Sequence, residues 1–187
     1  MSQQKIQPNL FKGKVSLGTS IIATTFDGGI VMAADTRTSA GIYIVNRHTD
    51  KVKRLTDNIY VCESGSAADT EAIADYVSYY LETQSMELDE VPRVSTAAKL
   101  VSGFIYPNKD YLLASMIVAG YDKYDKGSIY ALSLGGTLVK QKWTISGSGS
   151  TFIYGYCDSV WKENMNRQEA EQFCINGMYL FISLHSI

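Results

Sequence analysis

Thr19, preceded by Gly18, stands in the same chain as Asp35 and Lys51, and these residue types could together make a nucleophile. A hydroxyl attacks a carbonyl only when a base takes its proton, and a threonine at the start of a chain carries such a base in its own α-amino group. With a pKa of roughly 7.8, about a seventh of such amines are neutral at pH 7, against about 1 in 2,500 for an ordinary lysine near 10.4. In this scheme a free amine on Thr19 is a usable base, and an unperturbed lysine is not. Lys51 supplies a positive charge that lowers the pKa of nucleophile and amine, and Asp35 at a strand end holds and neutralises Lys51. Each residue also has a plainer reading. Gly-Thr is a common dipeptide, Asp35 could cap a turn, and Lys51 could be a solvated charge.

Other chemistries find little support. His48 and His185 are the only histidines, too few for a multi-histidine metal site, and neither has an obvious serine or cysteine partner. His48 reads as a surface loop residue. The glycine-rich run Gly147-Ser148-Gly149-Ser150-Thr151 lacks the lysine of a phosphate-binding loop, and no G-x-S-x-G elbow is present. No metal and no cofactor is expected. A net charge of −2 offers no basic field for nucleic acid. The 187 residues make one domain, and the 45% apolar content supplies a core, which excludes disordered and fibrous classes. Cys62, Cys157 and Cys174, odd in number and without a CxxC, read as buried thiols of a reducing compartment. Residues 1–8 lack the apolar core of a secretory signal, and the longest apolar stretches, 111–119 and 178–184, are short of the roughly 20 residues that cross a bilayer. A soluble intracellular protein is expected.

The elements that must position these residues follow from periodicity and turn chemistry. β-branched residues over 19–26, the turn Asp27-Gly28-Gly29 and the apolar run 30–34 predict a hairpin. Residues 43–45 and 59–62 read as strands separated by a charged loop through Asp50-Lys51-Val52-Lys53-Arg54. Ser66 followed by Asp69 opens a helix whose stripe is Ala72, Ile73, Tyr76, Val77, Tyr80 and Leu81. A second helix fits 95–106, stopped by Pro107. Residues 112–121 predict a strand covered on both faces, 129–134 and 138–141 a hairpin around Gly135-Gly136, and 143–146 a continuation of that sheet. Helices follow over about 152–163 and from near Arg167. Strands, helices, strands, helices in that order indicate an α+β layered sandwich.

Several runs resemble a known family: 18–26, Ala34-Asp-Thr-Arg-Thr38, Asn46-Arg47, Thr49-Asp-Lys51, Ser64-Gly-Ser-Ala-Ala-Asp-Thr70 and 147–158. They are similar to the catalytic beta subunits of the eukaryotic proteasome, most closely the caspase-like one, from about Gly13 to Glu171. The resemblance implies the N-terminal-nucleophile hydrolase fold, a four-layer αββα sandwich. It implies a threonine endopeptidase of the 20S core, acting on unfolded and ubiquitin-tagged polypeptides in cytoplasm and nucleus. Its partners would be other alpha and beta subunits in stacked rings, with no nucleic acid and no membrane. Residues 1–18 would be a propeptide removed by self-cleavage between Gly18 and Thr19, and 19–187 the peptidase domain. Thr19 would be the nucleophile, Asp35 and Lys51 its supporting pair, the Gly65 N–H an oxyanion donor, and Ser148 a hydrogen-bond partner near the threonine amine. Without the family, Gly65 reads as a turn glycine and Ser148 as a helix cap. The pocket wall would be Thr38, Thr49, Lys53, Glu63, Ala67 and Glu71.

Two departures from the family pattern stand out. Glu63 occupies the position where the caspase-like pocket has an arginine, and an acid there repels an acidic substrate side chain unless Lys53 neutralises it. Cleavage after acidic residues is thus implied by the family and not by these residues. From about Phe173 the resemblance ends, and the absent part would hold the rest of the last helix, closing strands, and an aspartate and a serine of the threonine environment. The domain is therefore expected to be C-terminally truncated. The alternative to an active peptidase is a non-catalytic or defective beta subunit that contributes only to ring assembly.

Overall fold

Residues 18–40 and 43–185 are described by the computed structural model. Of the leader expected over 1–18, all but Gly18 lies outside them. Strand β1 (Ser20–Phe26) turns through Asp27-Gly28 into β2 (Gly29–Ala34), with Gly28 at φ 102°, a backbone only glycine adopts freely. β1 also pairs with β10 (Trp143–Gly147), so that the order β10-β1-β2 forms one antiparallel sheet. A second sheet runs β5 (Val52–Thr56), β6 (Ile59–Gly65), β7 (Ala114–Asp122), β8 (Lys126–Leu132) and β9 (Leu138–Gln141) in that order. A two-stranded ribbon, β3 (Thr38–Ala40) with β4 (Tyr43–Asn46), stands apart.

Helices α1 (Ala67–Leu88) and α2 (Val94–Ile105) cover the five-stranded sheet, and α3 (Ser150–Val160) and α4 (Arg167–His185) cover the other. Three cores separate these four layers. Met116 and Val118 of β7 join Val77, Leu81, Val101 and Ile105 under α1 and α2, whereas Ile117 and Ala119 face Ile21 and Ala23 between the sheets. Ile22 of β1 points the other way, to Ile153, Phe173 and Phe181. The period of two in a strand thus sends alternate side chains of β1 and β7 into different cores, which is why both read as nearly continuous apolar runs. The αββα sandwich agrees with the expected fold class.

The structure corrects several expectations. The segment through 50–54 is not all loop. Val52 and Leu55 are buried or half-buried on opposite faces of β5, and Lys51, Lys53 and Arg54 hid that alternation in the sequence. β10 does not continue the sheet of β8 and β9. It crosses to the other sheet, where Thr24 pairs with Trp143 and the Thr25 N–H donates to Lys142. In α1 the buried stripe is Thr70, Ile73, Ala74, Val77 and Leu81, while Ala72, Tyr76 and Tyr80 are exposed. The two tyrosine rings lie against Phe104 of α2, with centroids 5.8 and 5.9 Å away, so they pack in the outer groove between helices instead of on the sheet. Pro107 falls within a 3-10 turn (Tyr106–Asn108) that continues α2. Ser66 caps α1 as expected, and Asn166 and Glu169 form a reciprocal capping pair at the start of α4, each side chain accepting from the other's backbone N–H at 2.9 and 3.0 Å.

Candidate active site

β1, β2 and the segment before β5 bring Thr19, Asp35 and Lys51 to one end of the sandwich. Thr19 sits just before β1, Asp35 just after β2 and Lys51 just before β5, so the two sheets contribute one side each. The Lys51 ammonium is buried, with 7% exposure, and donates to Asp35 Oδ1 at 2.8 Å and Oδ2 at 2.9 Å. It also reaches the Arg37 carbonyl at 2.7 Å, Thr19 Oγ1 at 3.1 Å and the Gly18 carbonyl at 3.5 Å. Asp35 is fixed in turn by the backbone N–H groups of Ser20, at 2.8 Å, and Arg37, at 3.1 Å. A buried ion pair is held only when its remaining donors and acceptors are satisfied, and here backbone groups from both strand ends do so.

Beside Thr19 lies an open cleft. Gly18, Thr19, Thr38, Thr49, Lys51, Glu63, Gly65 and Ala67 line it, with Ser39, Ser64 and Thr70. The Thr38 hydroxyl donates to Thr49 Oγ1 at 2.7 Å, which ties β3 to the loop before Lys51 across its mouth. Gly65 ends β6 at φ 112°, and a Cβ there would lie 2.2 Å from the Leu113 carbonyl oxygen, so the turn that presents its backbone admits only glycine. Gly147 is similarly required: its Cβ would lie 1.9 Å from the Thr19 carbonyl oxygen.

Glu63 is the unusual member. Its residue is 8% exposed, and among the described residues the buried Oε1 has no hydrogen-bond partner. Lys53 Nζ stands 3.6 Å from that oxygen and is drawn instead to Glu71 Oε1 at 2.9 Å. Burial pushes the Glu63 carboxyl up to about 7, with Glu71 and Asp75 adding to the rise and Lys53 only partly opposing it.

Of the residues singled out in the sequence, Thr19, Thr38, Thr49, Lys51, Glu63, Gly65 and Ala67 meet in the cleft. Asp35 holds Lys51 from behind, and Lys53 stands between Glu63 and Glu71, nearer to Glu71. Ser148 is exposed in the turn after β10 and is not part of the lining. Ser39, Ser64, Thr70 and the Arg37 carbonyl were not foreseen, and a carbonyl leaves no mark in a sequence because every residue has one. His48 is exposed, as expected. The three cysteines are buried free thiols, and burial pushes them up, Cys157 to about 11 and Cys174 to about 12, so they are not nucleophiles. Among the described residues no group of three or more His, Cys, Asp or Glu is placed to hold a metal ion, and no helix is long and apolar enough to cross a membrane.

Residues 15–183 match the proteasome subunit family. The chain belongs to that family. It is 52% identical over 173 residues to a protein of Dictyostelium discoideum named proteasome subunit beta type-6, covering 92% of this chain and 81% of that one. To the beta type-6 subunit of Arabidopsis thaliana it is 46% identical, covering 90% and 72%. To proteasome subunit beta type-1 of Saccharomyces cerevisiae it is 52% identical, covering 88% and 76%. The proteasome match takes in most of the segment after Phe173, in keeping with an α4 that places Phe173, Cys174 and Phe181 in one core.

Proposed function

We propose that this proteasome subunit is a threonine endopeptidase that first cuts itself and then cuts polypeptides. The observation that carries the reading is the Lys51 ammonium, which reaches both the Thr19 hydroxyl and the Gly18 carbonyl while Asp35 holds it. In the first step Thr19 Oγ1 adds to the Gly18 carbonyl carbon, the C–N bond breaks, and the departing Thr19 nitrogen takes up the proton lost by the hydroxyl. Water then hydrolyses the resulting ester, leaving a carboxylate on Gly18 and a free amine on Thr19. In the second stage that amine takes the hydroxyl proton, through a water, as Oγ1 attacks a substrate carbonyl. The leaving amine receives the proton, and a second water releases the acyl group. The Gly65 N–H, presented by its glycine-only turn at the cleft wall, is the donor for the charge that develops on the carbonyl oxygen.

As a member of this family the chain works with other alpha and beta subunits in the 20S core, and its substrates are unfolded polypeptides in cytoplasm and nucleus. Mass spectrometry of the chain from assembled particles tests the reading. A mature chain beginning at Thr19 is expected. Lys51→Ala should slow processing and hydrolysis by about 10²-fold or more, the usual scale for losing a preorganised charge beside the reacting oxygen. An intact leader in mature particles would leave the chain a structural ring member.

A further inference from the structure

The cleft beside Thr19 carries a charge imbalance that its other features do not use. Glu63 is more than nine-tenths buried, yet Oε1 makes no hydrogen bond to any of the described residues. An unpartnered buried carboxylate oxygen is costly unless something arrives to pair with it. The groups facing it come from three places. On β5, Lys53 stands beyond hydrogen-bond distance and is shared with Glu71. On α1, Glu71 and Asp75 are both acids. In the cleft itself, Lys51 is already committed to Asp35 and two carbonyls. One partly engaged lysine thus faces three carboxylates, and the excess is negative.

We propose that Glu63 selects a cationic side chain, lysine or arginine, on the residue whose carbonyl Thr19 attacks. The selection rests on the peptidase reading of Thr19. An ammonium or guanidinium entering the cleft supplies the donor that Oε1 lacks, and the hydroxyls of Thr38 and Thr49 lie on the same lining. An acidic side chain meets like charge, and an aliphatic one leaves Oε1 buried and unpaired. A bound cation also favours the ionised carboxylate, so binding releases a proton. The preference for a cation therefore grows as pH rises through the range in which Glu63 titrates in the empty cleft.

Peptide epoxyketones that differ only in Arg, Leu or Glu beside the electrophile, applied to assembled particles, test this. Mass spectrometry of the Thr19 peptide reads the adduct on this chain alone, apart from the other subunits. The Arg probe is expected to label Thr19 at least tenfold faster than the Leu probe at pH 8, with the Glu probe slowest. The Arg-to-Leu ratio should fall toward pH 6 in the unaltered chain, and Glu63→Gln should collapse it. Faster labelling by Leu or Glu, or a ratio indifferent to both pH and Glu63→Gln, overturns the selection while leaving the peptidase reading in place. Absence of adduct with all three probes overturns the peptidase reading and the selection with it.

Discussion

At the residue scale, Glu63 and Lys51 show two ways of burying a charge. Lys51 has a carboxylate at 2.8 Å and backbone acceptors around it, whereas Glu63 has an ammonium at 3.6 Å and an oxygen left over. The difference has a pH signature. The folded chain holds the Glu63 proton up to about 7, while the unfolded chain releases it near 4.3. Folding therefore gains from this group below about pH 4, and the gain is lost as pH rises through 7. The full span corresponds to roughly 4 kcal/mol. Thermal unfolding of the purified chain should show lower stability at pH 8 than at pH 5.5, and Glu63→Gln should flatten that slope. An unchanged slope in the variant would assign the effect elsewhere. The residue types of this site were legible in the sequence, including Glu63 as a departure. Its orphaned oxygen was not, because that depends on Lys53 leaning toward Glu71, a choice made by α1.

At the scale of elements, Asp122 at the end of β7 organises more backbone than its position suggests. Oδ2 accepts from the Val94 N–H at 3.0 Å, which caps α2, and Oδ1 accepts from the N–H groups of Tyr124 and Asp125 at 2.9 and 2.7 Å. Burial raises its pKa, but these three bonds and Arg93 outweigh that and hold it below the usual value. Its stabilising contribution is therefore present above about pH 4 and fades as pH falls through the lowered folded value. Asp122→Ala strands three backbone donors, and a loss of about 2–4 kcal/mol by chemical denaturation is expected. Asp122→Asn, which keeps an acceptor, should lose less. The sequence revealed Ser66 as a cap because its partner is three residues on, but it hid Asp122, whose partner at Val94 is 28 residues away. The same distinction explains β5 and β10. Local periodicity and turn chemistry were readable, while the choice of sheet for β10 and the pairing of a charged strand depend on contacts distant in sequence.

At the scale of the whole molecule, the site exists only because two sheets are stacked. Thr19 and Asp35 belong to one and Lys51 to the other, and Ile21, Ala23, Cys62, Ile117, Ala119 and Ile129 set the spacing between them. Such interiors transmit displacement instead of absorbing it. A second line of contact reaches the nucleophile from the far layer. Phe181, near the end of α4, lies so close over Gly149 that a Cβ there would be 1.2 Å from its ring. Two residues earlier, Gly147 lies against the Thr19 carbonyl. The last turns of α4 and the 147–149 turn should then open as one cooperative unit. In native-state hydrogen exchange, amides of 147–149 and Ser20 should share the opening free energy of the α4 turns around Phe181. Phe181→Ala should speed exchange at both places together while leaving the amides of β7 slow. Independent exchange at the two places would dissolve that unit. The protection of the nucleophile's backbone from solvent is, on this account, set by a phenylalanine 162 positions along the chain, roughly the whole length of the fold.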